Sequence, residues 1–208
     1  MLCTDKEIPA FISKLFMQVF AEPRKELFLK INDENLALSW FYENSDLNLK
    51  QGLEYLQLAK KEKFEDIEVD FTRLFLCDDY FLKAPPYASY YYSIFGDMIS
   101  ENSTKVEKHF LNSEFKKPFD ALPSDSVANE FAFLAFCFEN QKIDELKIFL
   151  KDEMLPYIFY FLNNIKTHSN TNFYRGFALL TENFMQIVQK ELNIKKQKRA
   201  IHHKNTGN

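Results

Sequence analysis

Apolar residues in this chain recur at helical spacing, segment after segment, and that recurrence limits the fold more than any other feature. Ile8, Phe11, Ile12, Leu15, Phe16, Val19 and Phe20 fall at i, i+3, i+4 and i+7, which places one apolar stripe along a helix. Phe64, Ile67, Phe71, Leu74 and Phe75 repeat the pattern, as do Phe173, Phe177, Leu180, Phe184 and Ile187. Pro23 ends the first helix. Helices are expected next over 25–41, where Asn32-Asp33 is a point of interruption, and over 49–61. The helix opened by Phe64 must stop before Pro85, because the residue ahead of a proline disfavours the α region. Shorter helices are expected over 90–101 and 104–111, and a loop over 116–122. Ser124 or Asp125 is an N-cap candidate for a helix running to about Asn140. Residues 127–138 of that helix are apolar nearly all round, which predicts a central, buried element. A helix over 143–165 kinked at Pro156 and a closing helix over 172–193 complete the chain.

Composition excludes the competing architectures. Glycine occurs four times in 208 residues, phenylalanine 23 times, and valine is scarce; few glycines and few β-branched residues argue against tight hairpins and for helices. Gly52, Gly96, Gly176 and Gly207 are too scattered for a dinucleotide or phosphate loop. The expected fold is all-α, a single multi-helix bundle over residues 1–190 followed by a basic, flexible tail over 191–208. Cys3, Cys77 and Cys137 have no ligand or disulfide spacing, so a reducing compartment is expected. The N-terminal segment mixes Asp5, Lys6, Glu7 and Lys14 with its apolar residues and lacks a secretory apolar run. The longest apolar runs, 131–138 and 154–162, fall far short of a membrane span. A cytoplasmic protein without membrane insertion is therefore expected. Residues 190–208 carry six Lys/Arg against Glu191, a net +5, while the whole chain is −4, which leaves −9 on the rest. An acidic body suits a basic peptide and is a poor surface for nucleic acid.

Nothing in the sequence assembles a catalytic centre. His109, His168, His202 and His203 have no Cys, Asp or Glu at metal-ligand spacing, and neither a Gly-x-Ser-x-Gly elbow nor a Walker loop is present. No enzyme activity, metal or cofactor is expected. Two motifs remain. In the first, Phe71-Thr-Arg-Leu-Phe-Leu-Cys-Asp-Asp-Tyr-Phe-Leu-Lys-Ala-Pro-Pro-Tyr-Ala-Ser-Tyr90, an apolar-striped helix runs into two aspartates and a rigid aromatic turn. Asp70, Asp78 and Asp79, with Glu65, Asp66 and Glu68 upstream, read either as a solvated face or as an acidic rim for arginines; Arg73 reads as a structural partner for one of these acids. Pro85, Pro86, Tyr87, Ser89 and Tyr90 read either as a packed connection or as one wall of a peptide groove. In the second motif, Leu122-Pro-Ser-Asp-Ser-Val-Ala-Asn-Glu130, Asp125 and Glu130 suit a helix cap and a first-turn acid.

In order and spacing these motifs resemble the TorD/DmsD family of cytoplasmic chaperones that mature molybdenum- or tungsten-pterin redox enzymes. The segment Phe149-Leu-Lys-Asp-Glu-Met-Leu-Pro-Tyr-Ile-Phe-Tyr-Phe161 also resembles the family, with Glu153 and Tyr157 standing where a His and a Trp are usual, and the resemblance covers roughly residues 64–190. It implies an all-helical, non-catalytic protein that binds the twin-arginine leader and body of an apo-enzyme and delays export until the cofactor is inserted. It implies leader contacts at Phe71, Leu74, Phe75, Pro123 and Asp125; Asp78 and Asp79 would form the acidic rim, and Pro86, Tyr87 and Ser89 the groove wall. Ser126, where the family has a histidine beside that aspartate, and Glu130 complete the set. Formate dehydrogenase ranks first as client, ahead of dimethylsulfoxide, trimethylamine-oxide and nitrate reductases. The alternatives are a guanine-nucleotide-binding helical protein and an oligomerising helical adaptor; the expected resting form is a monomer with a domain-swapped dimer open to it.

Overall fold

The computed structural model describes residues 6–31, 46–76, 82–97 and 99–204. Among them the chain forms ten α-helices and no strand: α1 (Glu7–Ala21), α2 (Lys25–Ile31), α3 (Leu47–Ala59), α4 (Phe64–Phe75), α5 (Ala88–Tyr92), α6 (Glu101–Asn112), α7 (Val127–Glu139), α8 (Ile143–Phe149), α9 (Ile158–His168) and α10 (Asn172–Glu191). The all-α class is as the apolar spacing predicts. The part of the second predicted helix beyond residue 31 lies outside the described residues.

The chain groups into two compact units, each assembled from segments distant in sequence. The first comprises 1–21, 86–160 and 187–205; the second comprises 22–85, 161–186 and 206–208. In the first unit α7 is the buried axis, as its all-round apolar character predicts: from Val127 to Ala135 every residue is buried. α1 packs along it, with the Phe16 and Phe20 rings 5.3 and 6.1 Å from Phe131. On another side Phe133 meets Phe110 of α6 and Phe149 of α8, each at 5.0 Å. Offset and edge-on contacts such as these add to the area that the rings bury.

The second unit uses two of the four glycines for close helix approach. A Cβ on Gly52 of α3 would stand 2.8 Å from Leu180 Cδ2 of α10, and one on Gly176 would stand 3.0 Å from the Gly52 carbonyl. Two acids then secure the start of α10. Glu62 accepts from the backbone N–H of Asn172 at 2.6 Å and of Phe173 at 3.2 Å. Buried Asp70 accepts from Asn170 N, Thr171 N and Thr171 Oγ1 at 2.8–3.0 Å. Both complete donors that a helix N-terminus leaves open. Asp70 is therefore an internal brace, while Glu65, Asp66 and Glu68 are exposed, as the solvated-face reading has it. Arg73 is the structural partner foreseen, 2.6 Å from Asp70 Oδ1 and also donating to the His168 carbonyl.

Three boundaries differ from expectation. The helix placed over 90–101 is a short α5 followed by a loop: the chain turns extended at Ser93 (ψ 143°), and Gly96 at φ +76° takes a left-handed conformation within that loop. Ser93 Oγ donates to Asp97 Oδ2 at 2.7 Å and fixes the same turn. The cap of α7 is Ser126, whose Oγ accepts from Asn129 N at 3.3 Å, one or two residues beyond the candidates Ser124 and Asp125. The kink expected at Pro156 is a wider π-turn over Leu150–Met154, closed by Leu155 N to Leu150 O at 2.9 Å, with α9 restarting at Ile158.

Candidate functional site

The second motif and the aromatic turn meet in the first unit. Tyr87 and Ser126 form an isolated antiparallel bridge, with Ala88 N donating to Asp125 O at 3.0 Å and Val127 N to Pro86 O at 2.9 Å. Prolines make this pairing possible: Pro85 and Pro86 keep the chain extended and lack N–H groups of their own. The bridge holds Asp125 beneath the turn. Its Oδ2 accepts from Ser89 N at 2.7 Å and from Ser89 Oγ, and its Oδ1 from Ser103 Oγ, both at 2.5 Å. Ser100 Oγ donates to Ser89 Oγ at 2.9 Å. Asp125 thus ties the turn to α6, a role for which the sequence offers no spacing signal, since Ser100 and Ser103 lie more than twenty residues away.

Asn129, one turn into α7, holds the preceding loop. Its side chain accepts from Phe119 N and donates toward the carbonyls of Phe119, Leu122 and Pro123 at 3.1–3.4 Å. Ser124 Oγ donates to Glu107 of α6. Between that loop and α6 lies an open groove of about 420 Å³, lined by Ile99, Ser103, Glu107, Asp120, Leu122 and Pro123 among others. Ile99 of the groove, at 75%, and Ile94 and Phe95 shortly before it in the chain, at 68% and 87%, are the most exposed large apolar side chains among the described residues of the unit. Apolar surface left in water at this level is what a binding surface presents.

Below the turn, a polar cluster is sealed from solvent. Glu130 is fully buried; Tyr157 donates its hydroxyl to Glu130 Oε2, and Oε1 has no partner. Burial pushes the Glu130 carboxyl well above its ordinary range against the opposing Tyr157 hydrogen bond, and the nearby charges of Asp125 and Glu153 push the same way. The shift favours the protonated, uncharged form of Glu130. Burial likewise raises the Tyr157 phenol. The Tyr157 ring lies 5.3 Å from Tyr91 and 5.9 Å from Tyr92, and Tyr92 donates to the Glu153 carbonyl at 2.6 Å.

Arg199 closes the cluster. Its guanidinium sits 3.5 Å from the Tyr92 ring centre, with Nη1 2.9 Å from Glu153 Oε2 and 3.0 Å from Asp152 O, and Nη2 2.8 Å from Asn102 Oδ1. Burial alone would raise the Glu153 carboxyl; His109, with Nε2 3.9 Å away, and the Arg199 charge outweigh it and hold Glu153 below the ordinary range. Pro156 has no N–H to bond Asp152 O, four residues back, and that carbonyl is the one that accepts from Arg199. Composition predicts a basic, flexible tail over residues 191–208. Residues 197–203 instead lie on the first unit, with Gln197 N donating to Lys151 O and His202 N to Tyr91 O, each at 3.0 Å.

The twelve residues singled out from sequence are thus divided. Pro86, Tyr87, Ser89, Pro123, Asp125, Ser126 and Glu130 come together in the first unit. Phe71, Leu74 and Phe75 belong to the second unit and are buried there, with the Phe75 ring 5.4 Å from Tyr174 and 6.0 Å from Phe161. Asp78 and Asp79 lie outside the described residues. Among the described residues no group of three His, Cys, Asp or Glu is placed to hold a metal ion, and no helix is long and apolar enough to cross a membrane.

The family of the nitrate reductase delta subunit matches residues 41–163. Chaperone protein YcdY of Escherichia coli (strain K12) is 25% identical over 169 residues, 80% of this chain and 83% of that one. A solved structure of a candidate redox enzyme maturation protein from Archaeoglobus fulgidus superposes with a TM-score of 0.58 over 88% of this chain and 94% of that one; at 19% identity this likeness speaks for the fold.

Proposed function

Because this chain belongs to the nitrate reductase delta subunit family, the TorD-like chaperones of redox-enzyme maturation, which are non-catalytic, we propose that it binds the twin-arginine leader and apo-form of a molybdenum- or tungsten-pterin oxidoreductase in the cytoplasm. The leader seats on the first unit. Its apolar stretch lies along Phe95 and Ile99 into the groove beside Pro123, and its basic residues meet Glu107 and Asp120. The carrying observation is that apolar side chains with 75–87% exposure lead into a groove that also presents carboxylates. That pairing matches a segment with arginines ahead of an apolar run. Asp125, Ser126 and Asn129 hold the groove's loop in place and do not touch the peptide. While the leader is held it cannot reach the export machinery; a second contact keeps the apo-enzyme open for cofactor insertion, and release follows when the loaded enzyme no longer offers it. Formate dehydrogenase is the favoured client.

Calorimetric titration with a synthetic peptide of two arginines and about ten following apolar residues tests this reading. Phe95→Glu and Ile99→Glu, both at exposed positions, should each weaken binding about tenfold or more without loss of helicity. Unchanged affinity in both variants removes the groove as the leader site.

A further inference from the structure

The contacts of Arg199 describe a complete receptor for a guanidinium. Tyr92 supplies an aromatic ring, Glu153 a carboxylate, and Asn102 and the Asp152 carbonyl two further acceptors. A planar fork with an aromatic beneath it is recognition that arginine satisfies and lysine does not. The receptor is built into regular structure of the first unit: Tyr92 ends α5, Asn102 lies in the first turn of α6, and Asp152 and Glu153 lie in the π-turn. The Tyr92 wall is held by its own hydroxyl on the Glu153 carbonyl. Pro156 further leaves the Asp152 carbonyl without a helix partner.

The occupant is held quite differently. Arg199 arrives on a segment without helix or strand, residues 194–204, which also carries Lys195, Lys196, Lys198 and Lys204. Backbone hydrogen bonds from Gln197 and His202, and His203 4.7 Å from the Tyr90 ring, fasten it. A segment without regular structure, held by these contacts and by Lys196 5.8 Å from the Phe159 ring, opens at lower cost than the helices beneath it. Once it opens, the Glu153 carboxylate, the Asp152 carbonyl and Asn102 Oδ1 lose their shared guanidinium partner and can accept another.

We propose that this pocket binds an arginine side chain of the client peptide, and that the chain's own C-terminal segment is a tethered competitor occupying it until a client arrives. The inference rests on the leader-binding reading above and adds to it a second subsite with a stated ligand chemistry. A tethered ligand acts at an effective concentration in the millimolar range, so the competition is appreciable yet reversible. Apparent affinity for the client falls by the fraction of time that the pocket is open.

The test uses full-length Arg199→Ala and Arg199→Lys, each checked for retained helicity and melting temperature, and two probes. The first is the leader-type peptide with Arg-Arg or with Lys-Lys; the second is a synthetic peptide of residues 195–203. For a pocket closed about nine-tenths of the time, Arg199→Ala binds the Arg-Arg peptide about tenfold more tightly than wild type. Arg199→Lys shows a smaller gain, the Lys-Lys peptide shows none, and Glu153→Gln in the Arg199→Ala background abolishes it. The 195–203 peptide binds Arg199→Ala and not wild type. If folded Arg199→Ala binds the Arg-Arg peptide no better than wild type, the competition is overturned while leader binding stands. If neither chain binds the leader peptide but Arg199→Ala binds the 195–203 peptide, the pocket is an arginine receptor and the leader reading falls. If the 195–203 peptide does not bind Arg199→Ala, the receptor itself is refuted.

Discussion

Replacing Glu130 by Gln should reverse sign in its effect on stability as pH rises. In the fold the carboxyl is fully buried, accepts from Tyr157 at Oε2 and has no partner at Oε1, and burial holds its pKa well above the ordinary value of 4.5. Gln reproduces the shape of the protonated acid and can accept the same hydroxyl, but its NH2 leaves one more buried donor unpaired, which costs about 1–3 kcal/mol. Below pH 4.5 the variant is therefore less stable than wild type by that amount. Above pH 4.5 the unfolded wild-type chain releases a proton that the folded chain keeps. A raised folded pKa means stability that is fully present below the unfolded pKa and declines with rising pH until the folded pKa is passed. The decline is about 1.4 kcal/mol per pH unit for one proton. The variant has no such proton, so the two stabilities cross between roughly pH 5 and 7, and above the crossing Glu130→Gln is the more stable protein. Urea denaturation followed by circular dichroism at half-unit steps from pH 4 to 8 measures this, and every other titrating group cancels in the difference. A difference independent of pH, or one that moves further against the variant as pH rises, would show that Glu130 is ionised in the fold and would refute the reasoning.

Asp125→Asn should cost about 3 kcal/mol, because the amide presents donors to the N–H and hydroxyl of Ser89 and the hydroxyl of Ser103 that now donate to it; urea midpoints measure the loss, and hydrogen exchange should rise first in α5. Gly176→Ala should destabilise by about 1–3 kcal/mol through overpacking, although alanine is the better helix former by about 1 kcal/mol, because its Cβ would meet the Gly52 carbonyl and Leu56 Cδ2 at 3.0 Å. A variant as stable as wild type by thermal melting would show that the α3–α10 approach has slack.

The helices were legible because each buries one face, and burial writes its period into the sequence: α1, α4 and α10 are marked by phenylalanine at the right spacing. What period cannot show is where polar side chains reach across the chain. Asp70 stands in a run of acids that reads as a solvated face or an acidic rim, yet it braces a helix start a hundred residues on. Gly52 and Gly176 were too far apart to form a loop, and their shared purpose is visible only where α3 meets α10. Phe71, Leu74 and Phe75 match positions that the family resemblance ties to leader binding, and all three point into the core of the second unit. Arg199 was hidden in a run of lysines, where charge alone suggests solvent; Pro156 was the available clue, since a proline in a helical pattern leaves a carbonyl four residues back in need of a donor. Tyr157 was noted only as a departure from the family's Trp, and its hydroxyl turns out to answer the buried Glu130.

Hydrogen–deuterium exchange of the full chain, with and without a saturating twin-arginine leader-type peptide, maps where a client segment sits. The proposed function predicts added protection over residues 94–100 and 117–124 of the first unit, with the Lys-Lys peptide giving markedly less. Protection confined to other segments, or none despite measurable binding, would contradict the assignment of this surface to the leader.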